Sequence, residues 1–138
     1  MSQEPDITRF PSGSLLVTGG VEADDADDAG GSSGGLHRGA AVGAEGVWAG
    51  VSELAAGHTS TPHHHGPQAT IVYLVTGSME FEVFGDHPHT FTAHAGDFAV
   101  IPAGVVHAER NPSDEGCLCV VVRTNGEAPT VTNVVGEQ

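Results

Sequence analysis

The sequence predicts an all-β fold, a sandwich or small closed barrel, on three observations. From residue 36 onward, short apolar runs recur at a spacing of roughly 8–12 residues, each ended by turn residues. No stretch carries a convincing helical period. The 138 residues give room for one compact domain with a self-sufficient core.

The elements follow in chain order. Leu15-Leu16-Val17, flanked by Pro11 and Gly13, is predicted to form an initial edge strand. Residues 19–35 are glycine, serine and aspartate with almost nothing to bury, so they are expected to form a mobile acidic loop. That stretch holds five of the eighteen acids but lacks the liganding pattern of a calcium loop. Residues 1–35 are therefore expected to be an N-terminal arm, and 36–138 the domain proper. Strands are predicted over 47–51, 69–76, 79–84, 91–93, 98–101, 105–110 and 117–123. Gly57, Gly66-Pro67, Gly77-Ser78, Gly85-Asp86, Gly96-Asp97, Pro102-Ala103-Gly104 and Asn111-Pro112 punctuate them. Met79-Glu80-Phe81-Glu82-Val83 alternates strictly, which marks a half-buried strand.

Charge narrows the function classes. The net charge is −14, and the only basic residues besides histidine are four arginines. Neither phosphate contacts nor a polybasic membrane patch can be assembled from Arg9, Arg38, Arg110 and Arg123, so nucleic acid and membrane partners are not expected. The longest apolar runs, such as Cys117–Val122, are far shorter than a membrane span. The first residues lack the basic and apolar regions of a secretory signal, which predicts a cytoplasmic location. Cys117 and Cys119 lie on one face of one strand, where a disulfide would be strained, and are expected to be buried thiols.

Nine histidines against four arginines direct attention to metal or proton chemistry. His63 and His65 share one face of an extended segment and can take adjacent positions on a divalent ion, while His64 points away. His107, after Pro102-Ala103-Gly104, is the candidate third ligand. His58 is a loop histidine that could line a cavity mouth, and His87, His89 and His94 fall near hairpin turns and are expected at the surface. Glu109 lies two residues after His107. On a continuous strand it shares the metal-facing side and could orient a ligand or act as general base; on a twisted or bulged strand it would be solvated.

These spacings carry a family resemblance. Gly57, five residues, His63-x-His65 and then Gly77 resemble the first cupin motif. Gly96, five residues, Pro102-x-Gly104, two residues, His107, three residues and Asn111 resemble the second at each position. The resemblance implies a jelly roll, the double-stranded β-helix, with a divalent metal held by histidines of both motifs. It also implies a homodimer, since family members often pair through an edge strand.

One position departs from the pattern. Metal-binding cupins commonly place a Glu seven residues before the closing glycine, and Thr70 stands there. Gln68 could supply an amide oxygen instead. The chain thus resembles three-histidine cupins such as acetylacetone dioxygenase, and three neutral ligands would leave the site at a formal +2, favouring an anionic, chelating substrate. Imidazole ligation suits Fe(II), Zn, Ni and Cu alike, with Mn also possible; Fe(II) is favoured because a three-histidine set leaves at least two coordination positions open. Thr70, Val72 and Leu74 share a face by parity, and with Phe81, Val83 and Phe98 they are candidates for an apolar substrate cavity.

The expected function is an Fe(II)-dependent dioxygenase for an enolisable or catecholic small molecule. A Zn-type Lewis-acid cyclase or isomerase with Glu109 as proton carrier, and a non-catalytic binding module, are the alternatives.

Overall fold

The computed structural model describes residues 6–13, 15–18 and 36–134. Among these residues twelve strands are formed: β1 (Asp6–Arg9), β2 (Leu15–Thr18), β3 (Leu36–Ala44), β4 (Val47–Leu54), β5 (His63–His64), β6 (Thr70–Thr76), β7 (Ser78–Val83), β8 (His89–His94), β9 (Phe98–Ile101), β10 (His107–Arg110), β11 (Cys117–Arg123) and β12 (Thr132–Asn133). The expected acidic loop over 19–35 lies outside the described residues. Among those described, no helix is long and apolar enough to cross a membrane.

Two five-stranded antiparallel sheets make the jelly roll, in the orders β3-β4-β11-β6-β9 and β12-β5-β10-β7-β8. The sequence places seven of these strands close to their observed bounds. It does not predict β3, whose glycines and alanines carry little strand propensity; pairing along β4 compensates. The run at Leu15 is a strand but joins neither large sheet. It pairs with β1 in a separate hairpin.

Alternation packs the core between the sheets. β4 and β11 bury every second residue, so Trp48 and Leu54 meet Cys117, Cys119 and Val121. β6 adds Val72 and Leu74, while β7 and β8 bring Met79, Phe81 and Ala93 from the other sheet. Phe81 is fully buried and stacks on Phe91 at a centroid distance of 5.0 Å. Burying such a ring contributes on the order of 2–3 kcal/mol.

The chain passes from one sheet to the other through Gly77. Its φ of +78° is a left-handed conformation, and a Cβ there would lie 2.8 Å from the Cβ of Cys117. Glycine is required on both counts.

Parity also corrects one expectation. Phe98 does not line a cavity: on β9 it alternates outward with Val100, and the two are 69% and 59% exposed. Its ring packs against Tyr73 on the outer surface, 4.8 Å between centroids.

Candidate metal centre

The second sheet sets the histidines face to face. His63 on β5 and His107 on β10 are direct cross-strand partners, so both side chains leave the sheet on the same side. His65 follows β5 by one residue and shares that side, and its ring lies 4.9 Å from His63 and 5.2 Å from His107. β10 stays in register with β7, without a bulge, through Arg110. Glu109 is therefore paired with the buried Phe81 and faces inward with His107.

Each of the three histidines donates Nδ1–H to a backbone carbonyl: His63 to Thr61 at 2.8 Å, His65 to Thr130 at 2.7 Å and His107 to Val105 at 3.0 Å. A carbonyl can only accept, so these bonds set the ring orientations and leave each Nε2 for the interior. One ligand atom from each of the three histidines, with a Glu109 oxygen, forms a set lying within 4.8 Å of one another. Glu109 Oε2 is 3.0 Å from His107 Nε2 and 3.6 Å from His63 Nε2. Neighbouring donors about 2.1 Å from one ion stand about 3.0–3.4 Å apart, so Glu109 with His107 and His63 stands close to that spacing, and the whole set needs only a small contraction to close on a single divalent metal.

A short strand-like segment buttresses the carboxylate. Ser60 donates its amide to the Glu109 carbonyl at 2.9 Å and its hydroxyl to Oε1 at 3.3 Å, and its Oγ accepts the Glu109 amide at 2.9 Å. Asn111 holds this segment through backbone bonds to Gly57 and His58. The final asparagine of the second motif thus fixes the loop that aims Glu109.

Electrostatics divide the donors. Burial alone would raise the Glu109 carboxyl, but hydrogen bonds and positive charge from His107 and His63 outweigh it and hold the group well below the usual carboxylate range. Burial works against the charged form of His63 as well, yet Glu109 lifts its pKa above the ordinary value. His65 is pushed down to about 3, first by burial and then by the Arg123 charge, so its ring is neutral near pH 7.

Several sequence expectations change here. The site is not limited to neutral ligands, because Glu109 brings a carboxylate from the second motif's strand. Gln68 is buried but turned away from the histidines: its Nε2 donates to Ala128 O at 2.9 Å, and its Oε1 accepts from Thr130 N at 3.0 Å. Both ends of the amide are engaged, so Gln68 is not a ligand. The expected apolar cavity is also displaced. Val72, Leu74 and Phe81 are core, Val83 packs on that core, and Thr70 accepts a hydrogen bond from Arg123 Nε at 2.9 Å.

The space beside the histidines is a small cavity of about 50 Å³. Arg38, His58, Ser60, Glu109 and Arg123 line it, with apolar contributions from Leu36, Leu54 and Val131. Sequence reasoning missed Arg123, although β11 carries the signal. Cys117, Cys119, Val121 and Arg123 are its alternate, inward residues. Arg123 pairs across the sheet with Thr70, the position where the family commonly has Glu.

Residues 50–123, more than half of the chain, match the Cupin_2 model, the cupin domain. No curated protein matches the sequence. Solved structures of Bacillus subtilis oxalate decarboxylase share the fold. One described for the fine structure of its Mn(II) centres has a TM-score of 0.66 and 18% identity over 75% of this chain and 29% of that one. The structure at pH 4.6 has a TM-score of 0.65 and 18% identity over 72% of this chain and 28% of that one. The chain spans under a third of that enzyme's length.

Proposed function

Since the chain belongs to the cupin family, we propose that it is a metal-dependent oxidoreductase of the dioxygenase type, with Fe(II) held by His63, His65, His107 and Glu109. The observation that carries the reading is the set of three Nδ1–H bonds to carbonyls, which turns three Nε2 atoms and one carboxylate toward a common point. Lone pairs so converged repel one another unless a proton or cation lies between them. An Fe(II) ion there would supply one-electron chemistry and polarise a chelating oxygen. Three imidazoles and one carboxylate leave a formal +1, and a six-coordinate ion would keep two positions for a bidentate substrate.

The chain's own residues set the substrate's size. A cavity of about 50 Å³ is far below the several hundred Å³ of drug-sized sites, so the substrate is a small enolisable molecule of a few heavy atoms rather than a flavonol. Ser60 holds Glu109 in place, and the low proton affinity of His65 keeps its ring neutral, with Nε2 3.4 Å from Arg123 Nη2.

A second reading has one observation in its favour: the similar oxalate decarboxylase is described by its Mn(II) centres. Mn(II) would occupy the same four donors.

Metal analysis of chelator-treated protein reloaded anaerobically with Fe(II) or Mn(II) tests the site. One metal per chain is expected, and none in folded His107→Ala. At metal concentrations of 100 Kd, loading is expected to stabilise the wild type by about 2.7 kcal/mol and to leave His107→Ala unchanged. Oxygen uptake on small diketones by the Fe(II) form, and none by the Zn form, supports the dioxygenase reading. Turnover by the Zn form without oxygen uptake would replace it with Lewis-acid isomerase or cyclase chemistry.

A further inference from the structure

Arg123 and His58 have hydrogen-bonding capacity that the fold does not use. Arg123 is 7% exposed; its Nε donates to Thr70, its Nη2 lies 3.4 Å from His65 Nε2, and its Nη1 is buried with no partner. His58 is 3% exposed, and neither ring nitrogen has a partner. Unmet donors this deep are rare and costly, and here both belong to residues lining the same cavity. Arg38 lines it too, so two of the chain's four arginines converge on one small space in a protein of net charge −14. Among the described residues Glu109 is the one acid at that cavity, and it is engaged by Ser60, His63 and His107.

We propose that Arg123 and His58 form a subsite for a single carboxylate group, making the substrate of the neighbouring centre a small carboxylic acid anion. Guanidinium is the side chain best matched to a planar carboxylate, and with Nε on Thr70 and Nη2 against His65, Nη1 is the donor left without a partner. The indole of Trp48, 5.7 Å from the guanidinium carbon, supports its other contact face. The guanidinium is charged at neutral pH. A cation on His65 Nε2 would also release Nη2 from its contact there, adding a second donor beside Nη1. The cavity volume is several times the roughly 10–15 Å³ that a single water needs, so it has room for a carboxylate on a substrate of a few heavy atoms.

The substrate assignment rests on the proposed metal-dependent activity, but the subsite is tested apart from it. Formate binding to the full chain is measured by calorimetry, both chelator-treated and metal-loaded, with formamide as the neutral isostere. Saturable formate binding is expected, with formamide at least tenfold weaker. Formate affinity should fall tenfold or more in Arg123→Gln or in His58→Leu. Should Arg123→Gln fail to fold, His58→Leu decides alone, since it removes unpartnered polar atoms and should fold. Wild-type protein that binds no formate in either state, or formamide equally well, overturns the subsite, as does unchanged affinity in both folded variants. Formate binding without any metal uptake would instead overturn the metal-dependent function and leave the subsite standing.

Discussion

Asn111 is where the fold and the candidate centre depend most heavily on one side chain. It is fully buried at the end of β10, and its Nδ2 donates to Leu54 O at 3.0 Å and to Glu115 O at 2.7 Å. Its Oδ1 accepts from the amide and hydroxyl of Ser113, at 3.1 and 2.7 Å. Asn111→Ala removes all four bonds. The Ser113 hydroxyl, released from Asn111, can turn to the Glu115 carbonyl 2.9 Å away, whereas the Leu54 carbonyl loses its side-chain donor in the core. Losing that buried bond costs about 1–3 kcal/mol, and the other bonds contribute about 0.5–1 kcal/mol each, for a total of about 3–5 kcal/mol. For a domain of this size that is a Tm decrease of roughly 10 °C or more. Asn111→Asp separates hydrogen bonding from shape. It keeps Oδ1 for Ser113 but sets a second carboxylate oxygen against the two carbonyls, so it should destabilise at least as much at pH 7. Scanning calorimetry and urea unfolding of both variants measure this. A Tm decrease under about 3 °C for Ala, or an Asp variant as stable as wild type, would refute the reasoning.

Three further outcomes follow from packing and burial. Phe81→Ala should cost about 3–5 kcal/mol in urea unfolding, because the ring is wholly within the core, whereas Phe98→Ala at 69% exposure should cost under about 1 kcal/mol. Gly77→Ala should lose more than about 2 kcal/mol, from the left-handed φ and the close approach to Cys117; a neutral result would mean the crossover adjusts freely. Burial pushes the thiols of Cys117 and Cys119 up, to about 11 and about 12, from an ordinary 9.0. The unfolded chain therefore releases those protons first, and stability should fall as pH rises above about 9, by up to about 1.4 kcal/mol per pH unit for each thiol. Native protein at pH 8 should also react with a thiol reagent only at its unfolding rate, and prompt labelling would contradict the burial.

Much of this was legible in one dimension because strands alternate with period two. The run from Met79 to Val83 announces its buried face by alternation, and β11 likewise shows which of its residues turn inward. The histidine pair at 63 and 65 and the spacing from Gly96 to Asn111 are local signals, and the fold class and the candidate metal histidines follow from them. Local pattern is silent where a side chain's role depends on the partners that folding brings to it. Gln68 looks like a spare ligand by position, but the segment at Ala128–Thr130 takes both ends of its amide. Phe98 looks like a cavity wall by hydrophobicity, but on β9 Ala99 and Ile101 take the inward face and leave Phe98 on the outer one.

The sequence by itself therefore determined an all-β cupin chain with three histidines positioned for metal. Only the tertiary structure decided the chemical character of the space beside them. Thr70, which in sequence is an absent carboxylate, becomes in space the acceptor that holds Arg123, while Glu109 supplies a carboxylate from the other sheet. Periodicity reports which face of its own strand a residue takes. Charge balance in a buried site is set by residues some fifty positions apart in the chain, such as Thr70 and Arg123, and it appears only once the sheets have closed on one another.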